Sequence, residues 1–172
     1  ALTDKFRIVF QDYNSNPLSI NIKLIKVDNN SGYEINFKAH DLNFKDIMTN
    51  KTFYIQNSNK FILLDFWGTW CKPCLDLLPN LKSIFKRYGG DKFNIYGIAH
   101  DDELSIVKNH LKSKNVVWPN VFDNRNSAEL VNLYKVQSFP TFILIDPNGK
   151  IIYRGIGKSS LNHIDKILSK LY

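Results

Sequence analysis

From position 60 onward the apolar residues fall into two alternating rhythms. Residues 61–67 (FILLDFW) are an almost unbroken apolar run of strand length, the pattern of a central strand covered on both faces. Helical spacing follows over 72–88, where Leu77, Leu78, Leu81, Ile84 and Phe85 form one buried stripe. Pro73 falls in the first turn of that helix, where its missing N–H costs nothing, and Gly89 and Gly90 end it. Pro79 lies well inside and predicts a kink. FNIYGIA at 93–99 reads as the next strand and 103–114 as the next helix, with Leu104, Val107 and Leu111 facing inward. A short apolar segment at Val121 and Phe122 leads to a helix over 127–134, capped by Asn126 or Ser127. Strands at 141–145 and 150–154 flank Asp146-Pro147-Asn148-Gly149, a hairpin signal that makes this part of the sheet antiparallel. The last helix starts near Ser159 or Ser160 and turns Leu161, Ile164, Ile167, Leu168 and Leu171 inward.

Before position 60 the pattern is that of strands. FRIVF (6–10), LSINIKLIKV (18–27) and YEINF (33–37) are rich in β-branched and aromatic residues, with turn residues at 14–17 and 28–32, so a hairpin or three-stranded meander is expected. Leu42, Phe44, Ile47 and Met48 recur at loosely helical spacing over 40–50, and 52–55 reads as a short strand. Strands joined by helical crossovers and closed by a hairpin predict an α/β fold: a mixed central sheet with helices on both faces, plus a β-rich N-terminal extension. The boundary is expected near position 50, with the extension at 1–50 and the main domain at 51–172.

Length and charge narrow the picture. A chain of 172 residues suits one well-packed domain with an added element. The net charge of +7 comes from scattered lysines without a cluster of five or six, which points to solubility and away from nucleic acid. No run approaches eighteen apolar residues, so no membrane span is expected. The sequence opens at Ala1 with no initiator Met and no basic or apolar leader, the mark of a processed end or a cut within a longer chain. Any targeting segment or membrane anchor would then lie outside it.

The candidate chemistry sits where the first strand of this pattern runs into its helix. Cys71 and Cys74 are the only cysteines, three residues apart, at that junction. A thiol at the first turn of a helix meets unpaired backbone N–H groups and the positive end of the helix dipole, both of which favour thiolate. Lys72 adds a neighbouring cation, so the Cys71 pKa is expected below the free value of about 8.5, by about one to two units. Cys74, one turn later on the same face, is close enough to close a disulfide ring and is expected to be the more buried of the two. The roles that follow are attack on a substrate disulfide by Cys71 and resolution of the mixed disulfide by Cys74. A purely structural bridge closing so short a loop gains little chain entropy, and a zinc half-site lacks a second cysteine pair. His40, His100, His110 and His163 form no paired ligand motif, so neither metal nor cofactor is expected. Asp65, in the middle of the apolar run, would be desolvated, with its pKa raised; it is either the proton acceptor for Cys74 or a carboxylate bonded to a nearby backbone or Lys group.

Beyond these residues, the chain resembles the thioredoxin-like superfamily, and within it the TlpA/ResA-like thiol-disulfide oxidoreductases of the bacterial envelope. The resemblance rests on residues 65–74 (DFWGTWCKPC), Pro79, residues 134–142 (YKVQSFPTF) and residues 144–150 (LIDPNGK), in that order, and spans 60–172. It implies a three-layer thioredoxin-like fold, with Cys71 attacking, Cys74 resolving and Asp65 as the buried acid. It also implies a cis Pro140 facing the disulfide, and a substrate site bordered by Trp70, Lys72, Pro73, Phe139 and Pro140. Trp67 is a further candidate for the apolar wall of that site. Partners would be protein thiols or disulfides and an upstream redox protein, in the periplasm or cell envelope. Lys-Pro stands between the cysteines where thioredoxin has Gly-Pro, a pair that helps set the reduction potential. Thiol peroxidase, or a metal-carrying or partner-binding module of the same fold, are the competing functions.

Overall fold

The structure, a computed structural model, describes residues 5–13, 20–27, 32–55 and 58–171, the first two stretches by their backbone only. The chain divides into two compact units, Ala1–Ser31 and Gly32–Tyr172. In the first, β1 (Lys5–Tyr13) pairs antiparallel with β2 (Ile20–Val27), with a register shift between Phe10 and Asp12. The hairpin expected from the alternating pattern is present; the turn residues expected at 14–17 and 28–31 lie outside the described residues.

The second unit begins at Gly32, so residues 32–50 join the main domain instead of an extension reaching position 50. Two expectations for this segment fail. Residues 33–37 form bends and turns, not a strand: Asn36 takes a left-handed φ of 78°, and only Lys38 makes an isolated bridge, to Lys150. The β-rich composition of YEINF yields to local turn geometry around an Asn that tolerates this conformation. Over 40–50, the loosely helical spacing gives β3 (Asn43–Lys45), paired with β4 (Thr52–Tyr54) as a small hairpin. Here Asp46 organises the turn, its carboxylate accepting from the backbone and hydroxyl of Thr49 at 2.9 and 2.7 Å. Ala39, Phe44 and Ile55 sink into the core, so the apolar residues of this segment serve tertiary burial and not a helical stripe.

The main sheet has five strands in the order β7-β6-β5-β8-β9. β5 (Phe61–Trp67) is central and leads into α1 (Lys72–Tyr88), then β6 (Phe93–Asp101), α2 (Leu104–Ser113), β7 (Asn120–Asn124), α3 (Glu129–Leu133), β8 (Thr141–Ile145), β9 (Ile151–Ile156) and α4 (Gly157–Leu168). β5, β6 and β7 run parallel, while β8 pairs antiparallel with both β5 and β9. Parallel neighbours need a crossover, which α1 and α2 supply; the β8–β9 reversal needs only the 146–149 turn. There Asp146 accepts from the backbone N–H of Asn148 and Lys150, and Gly149 takes φ 80°.

Alternation along β5 sorts the core. Ile62, Leu64 and Phe66 face one side with Tyr134, Val136 and the residues of the 32–55 segment; Leu63 faces the other with Leu77, Leu81 and Ile84 of α1 and Leu161, Ile164 and Leu168 of α4. Each such side chain contributes about 1.5–3 kcal/mol by leaving water. Leu104 and Leu171, expected to face inward, are exposed: Leu104 opens α2 a turn ahead of its first buried residue, Val107, and Leu171 lies past the end of α4. Leu78, Phe85 and Ile167 pack only at the margin of the core. The helix expected over 127–134 shortens to α3, with Ala128 at its N-cap in place of Asn126 or Ser127. The carboxylate of Asp123, on β7, accepts the Leu130 and Val131 N–H groups at 3.0 and 3.1 Å, replacing a local cap with a tertiary one.

Candidate active site

β5 ends at Trp67 and the chain crosses a tight loop, Gly68 to Trp70, before α1 begins. A Cβ at Gly68 would lie 2.5 Å from Trp70 Nε1 and 2.8 Å from the His100 carbonyl oxygen, so only glycine lets the indole fold back over this loop. Thr69 is anchored by its backbone N–H and hydroxyl, both donating to Asp101 Oδ2 at 2.8 and 2.6 Å. Cys71 is thereby delivered to the N-cap of α1, with its Sγ accepting the backbone N–H of Cys74 at 3.2 Å.

Cys71 and Cys74 form a disulfide, with Cα atoms 5.3 Å apart. Both residues are buried, at 4% and 6% exposure, so Cys74 is not the more buried of the two: the loop and the helix N-terminus cover them alike. Lys72 is directed away from them. Its ammonium pairs with Asp76 at 2.9 Å on the exposed face of α1, so solvent and a local anion both weaken its field at Cys71. Pro73 is exposed beside it.

The β5–β8 register carries Thr141 opposite Phe66, which sets residue 140 at the end of β5 from which the chain runs to Cys71. The Phe139–Pro140 peptide bond is cis, Pro140 is buried, and its carbonyl accepts the Gly157 N–H at 3.0 Å. Phe139 packs against the buried cluster that holds Cys71, Cys74 and Trp67. Its ring meets Trp70 edge-on at 5.2 Å and stacks on His100 at 5.4 Å. Trp70 is 48% exposed, whereas Trp67 is buried and donates its indole N–H to Asn120 Oδ1 at 3.1 Å. The two indoles therefore do different things: Trp70 forms surface beside the cysteines, and Trp67 packs beneath them as core.

Asp65 is buried within β5, and burial raises its pKa from 3.8 to about 7. Its Oδ1 has no hydrogen-bond partner among the described residues, so the bonded-carboxylate reading finds no support at that atom. A cavity of about 20 Å³, roughly enough for one water, is lined by Asp65, Trp67, Cys74, His110 and Asn120, with apolar residues from α1 and α2. Asp65 and Cys74 thus share one small, largely apolar space.

Residues 59–151 match the family model described as thioredoxin-like. The chain belongs to the thioredoxin-like family. It falls there with the thiol-disulfide oxidoreductases. The thiol-disulfide oxidoreductase ResA of Bacillus thuringiensis subsp. konkukian (strain 97-27) is 32% identical over 136 residues, covering 79% of this chain and 75% of that protein. A ResA of Bacillus cereus is 30% identical over 112 residues, 65% of this chain, and the match spans 64% of that relative's length. Among solved structures, a thiol-disulfide oxidoreductase from Bacteroides fragilis NCTC 9343 superposes with a TM-score of 0.66 at 27% identity, over 76% of this chain and 98% of that one.

The thioredoxin-like site also uses residues that the linear pattern did not single out. His100 and Asp101 end β6, Asp123 sits on β7 beside them, and Asn120 opens β7. His100 Nδ1 lies 3.3 Å from Asp123 Oδ2, and Arg125 reaches over the Trp70 ring at 5.3 Å while pairing with Asp102 at 2.9 Å. One signal was available: apolar strands that terminate in polar residues at their carboxyl ends, where open parallel sheets gather their sites. Among the described residues, no group of three or more His, Cys, Asp or Glu side chains converges as a metal site, and no helix is long and apolar enough to cross a membrane.

Proposed function

We propose that this thioredoxin-like protein exchanges its Cys71–Cys74 pair with the disulfides of extended protein substrates, as a reductant or isomerase in the cell envelope. The observation that carries this reading is the Cys71–Cys74 bond at the N-terminus of α1, with Phe139 packed against it and Trp70 exposed beside it. In the dithiol form, the Cys74 N–H that now meets Cys71 Sγ would stabilise a Cys71 thiolate, aided by the helix dipole. Cys71 is then the attacking sulfur. Cys74, which lines the cavity with Asp65, is the resolving one, and Asp65 takes its proton. An extended substrate segment would run past Phe139 and Pro140 and pair with the backbone there, with Trp70, Lys72 and Pro73 along its other side. The upstream partner would be another redox protein. An envelope compartment suits this chemistry because substrate disulfides persist there. The hairpin unit, Ala1–Ser31, is an addition to this machinery.

Trapping tests the assignment. Cys74→Ser should hold substrates as mixed disulfides on Cys71, identifiable by mass, and Cys71→Ser should lose insulin-reducing activity. Retained activity in Cys71→Ser would remove Cys71 from its role.

A further inference from the structure

The cavity beside the disulfide has a wall that the proposed chemistry does not yet use. His110, from α2, lines it together with Asp65 from β5, Cys74 from α1 and Asn120 from β7. The imidazole is half-buried, its ring 5.5 Å from the Trp67 ring, and neither of its nitrogens is hydrogen-bonded to a described residue. Asp65 Oδ1 is fully buried and equally without a partner. Two proton-carrying groups, each with free hydrogen-bonding capacity, thus border a space that holds about one water.

We propose that His110 is a positioning residue of the proton route, passing the resolution proton between Asp65 and solvent through a water in this cavity. The inference rests on the reading of Asp65 as the proton acceptor for Cys74. In substrate reduction, the Cys71 thiolate bonds to one substrate sulfur and expels the other as thiolate. Cys74 gives its thiol proton to the Asp65 carboxylate, then its sulfur attacks Cys71 Sγ. The Cys71–Cys74 bond forms, and the bond from Cys71 to the substrate sulfur it still holds breaks, releasing that sulfur as the second thiolate. The dithiol loses two electrons and the substrate disulfide gains them. Asp65 is left protonated in a buried site that disfavours its carboxylate. The cavity water accepts this proton while handing one of its own to the imidazole, and His110 releases it outward; in reverse, the same path returns a proton.

The surroundings suit an imidazole that starts neutral. Burial depresses its pKa below the usual 6.5, Lys114 on its own helix does the same, and Asp101 at the end of β6 acts in the opposite sense. The remaining titratable groups facing it across the cavity are Asp65 and, in the dithiol form, the Cys74 thiol; Asn120 and Trp67 are uncharged.

A two-phase thiol assay separates the steps. Reduced protein mixed with the aromatic disulfide dithiobis(nitrobenzoate) releases one coloured thiolate as Cys71 attacks and a second as Cys74 resolves. In His110→Ala, the first phase should keep its rate, and the second should slow about tenfold near pH 7 and recover on addition of free imidazole. A second phase within about twofold of the parent's, or a slowing that imidazole does not restore, overturns the proposal. Should His110→Ala fold poorly, His110→Asn serves in its place. The Asp65 carboxyl carbon, followed by NMR in the parent, should then show a second inflection where His110 titrates, lost in His110→Asn; a parent without that inflection also overturns the proposal. Asp65→Asn keeps the two readings apart. If it leaves the second phase unchanged, the reading of Asp65 itself fails, whereas a slow Asp65→Asn beside an unaffected His110→Ala removes only the relay.

Discussion

Replacing Asp65 by Asn should remove a defined pH dependence from the stability of the oxidised protein. The folded-state pKa of this carboxyl is raised from 3.8 to about 7, so the folded chain binds its proton more tightly than the unfolded chain does. The sign follows from linkage. Below the unfolded value, both states are protonated and the residue costs nothing. As pH rises from 3.8 toward 7, the unfolded chain ionises while the folded chain does not, and stability falls; above 7 the loss is complete. At about 1.36 kcal/mol per pKa unit, a rise of about 3 units corresponds to about 4 kcal/mol at full development. Water entering the cavity would reduce this, so the value is an upper bound. Asn cannot ionise, so its ΔΔG relative to the parent should move in its favour by up to about 4 kcal/mol between about pH 4 and about pH 8. The comparison across pH matters more than either absolute value, because a buried amide carries its own unmet hydrogen bonds. Urea unfolding followed by tryptophan fluorescence across that range, with the disulfide intact and the m-value checked for constancy, measures it. A difference that stays within about 1 kcal/mol across the range would refute the assignment of Asp65 as a desolvated carboxyl.

Asn120→Ala should cost about 1–3 kcal/mol, because the buried Trp67 indole N–H loses its acceptor at 3.1 Å; chemical unfolding measures the loss, and an altered near-ultraviolet dichroism would report the freed indole. Asp123→Ala removes the acceptor for the Leu130 and Val131 N–H groups and should destabilise the start of α3 by about 1–2 kcal/mol, with amide exchange at those two positions quickened by about tenfold.

The functional reading was legible early because its chemistry is local. Two thiols three residues apart, at a strand-to-helix junction, imply a thiolate at a helix N-terminus wherever the rest of the chain goes. The long elements were legible for a similar reason. β5 and α1 have the bounds that their patterns suggest, since an unbroken apolar run and a five-residue stripe leave little choice of period. The 32–55 segment was not. Its apolar residues are few, each is recruited singly into the core, and the turns at Asn36 and Asp46 decide the backbone. The cap of α3 was missed because the acceptor comes from β7 and not from a neighbouring residue.

What the sequence determined by itself was therefore the periodicity of the main strands and helices, the redox pair and the buried acid between apolar neighbours. These depend on residue type and spacing within a turn or a strand. Only the tertiary structure decided that the two cysteines are buried alike. It alone brought Phe139 against the disulfide and His110 and Asn120 to the cavity of Asp65 and Cys74. Those residues come from other elements and loops, and no spacing along the chain encodes a meeting set by sheet order and by the register of β8 against β5.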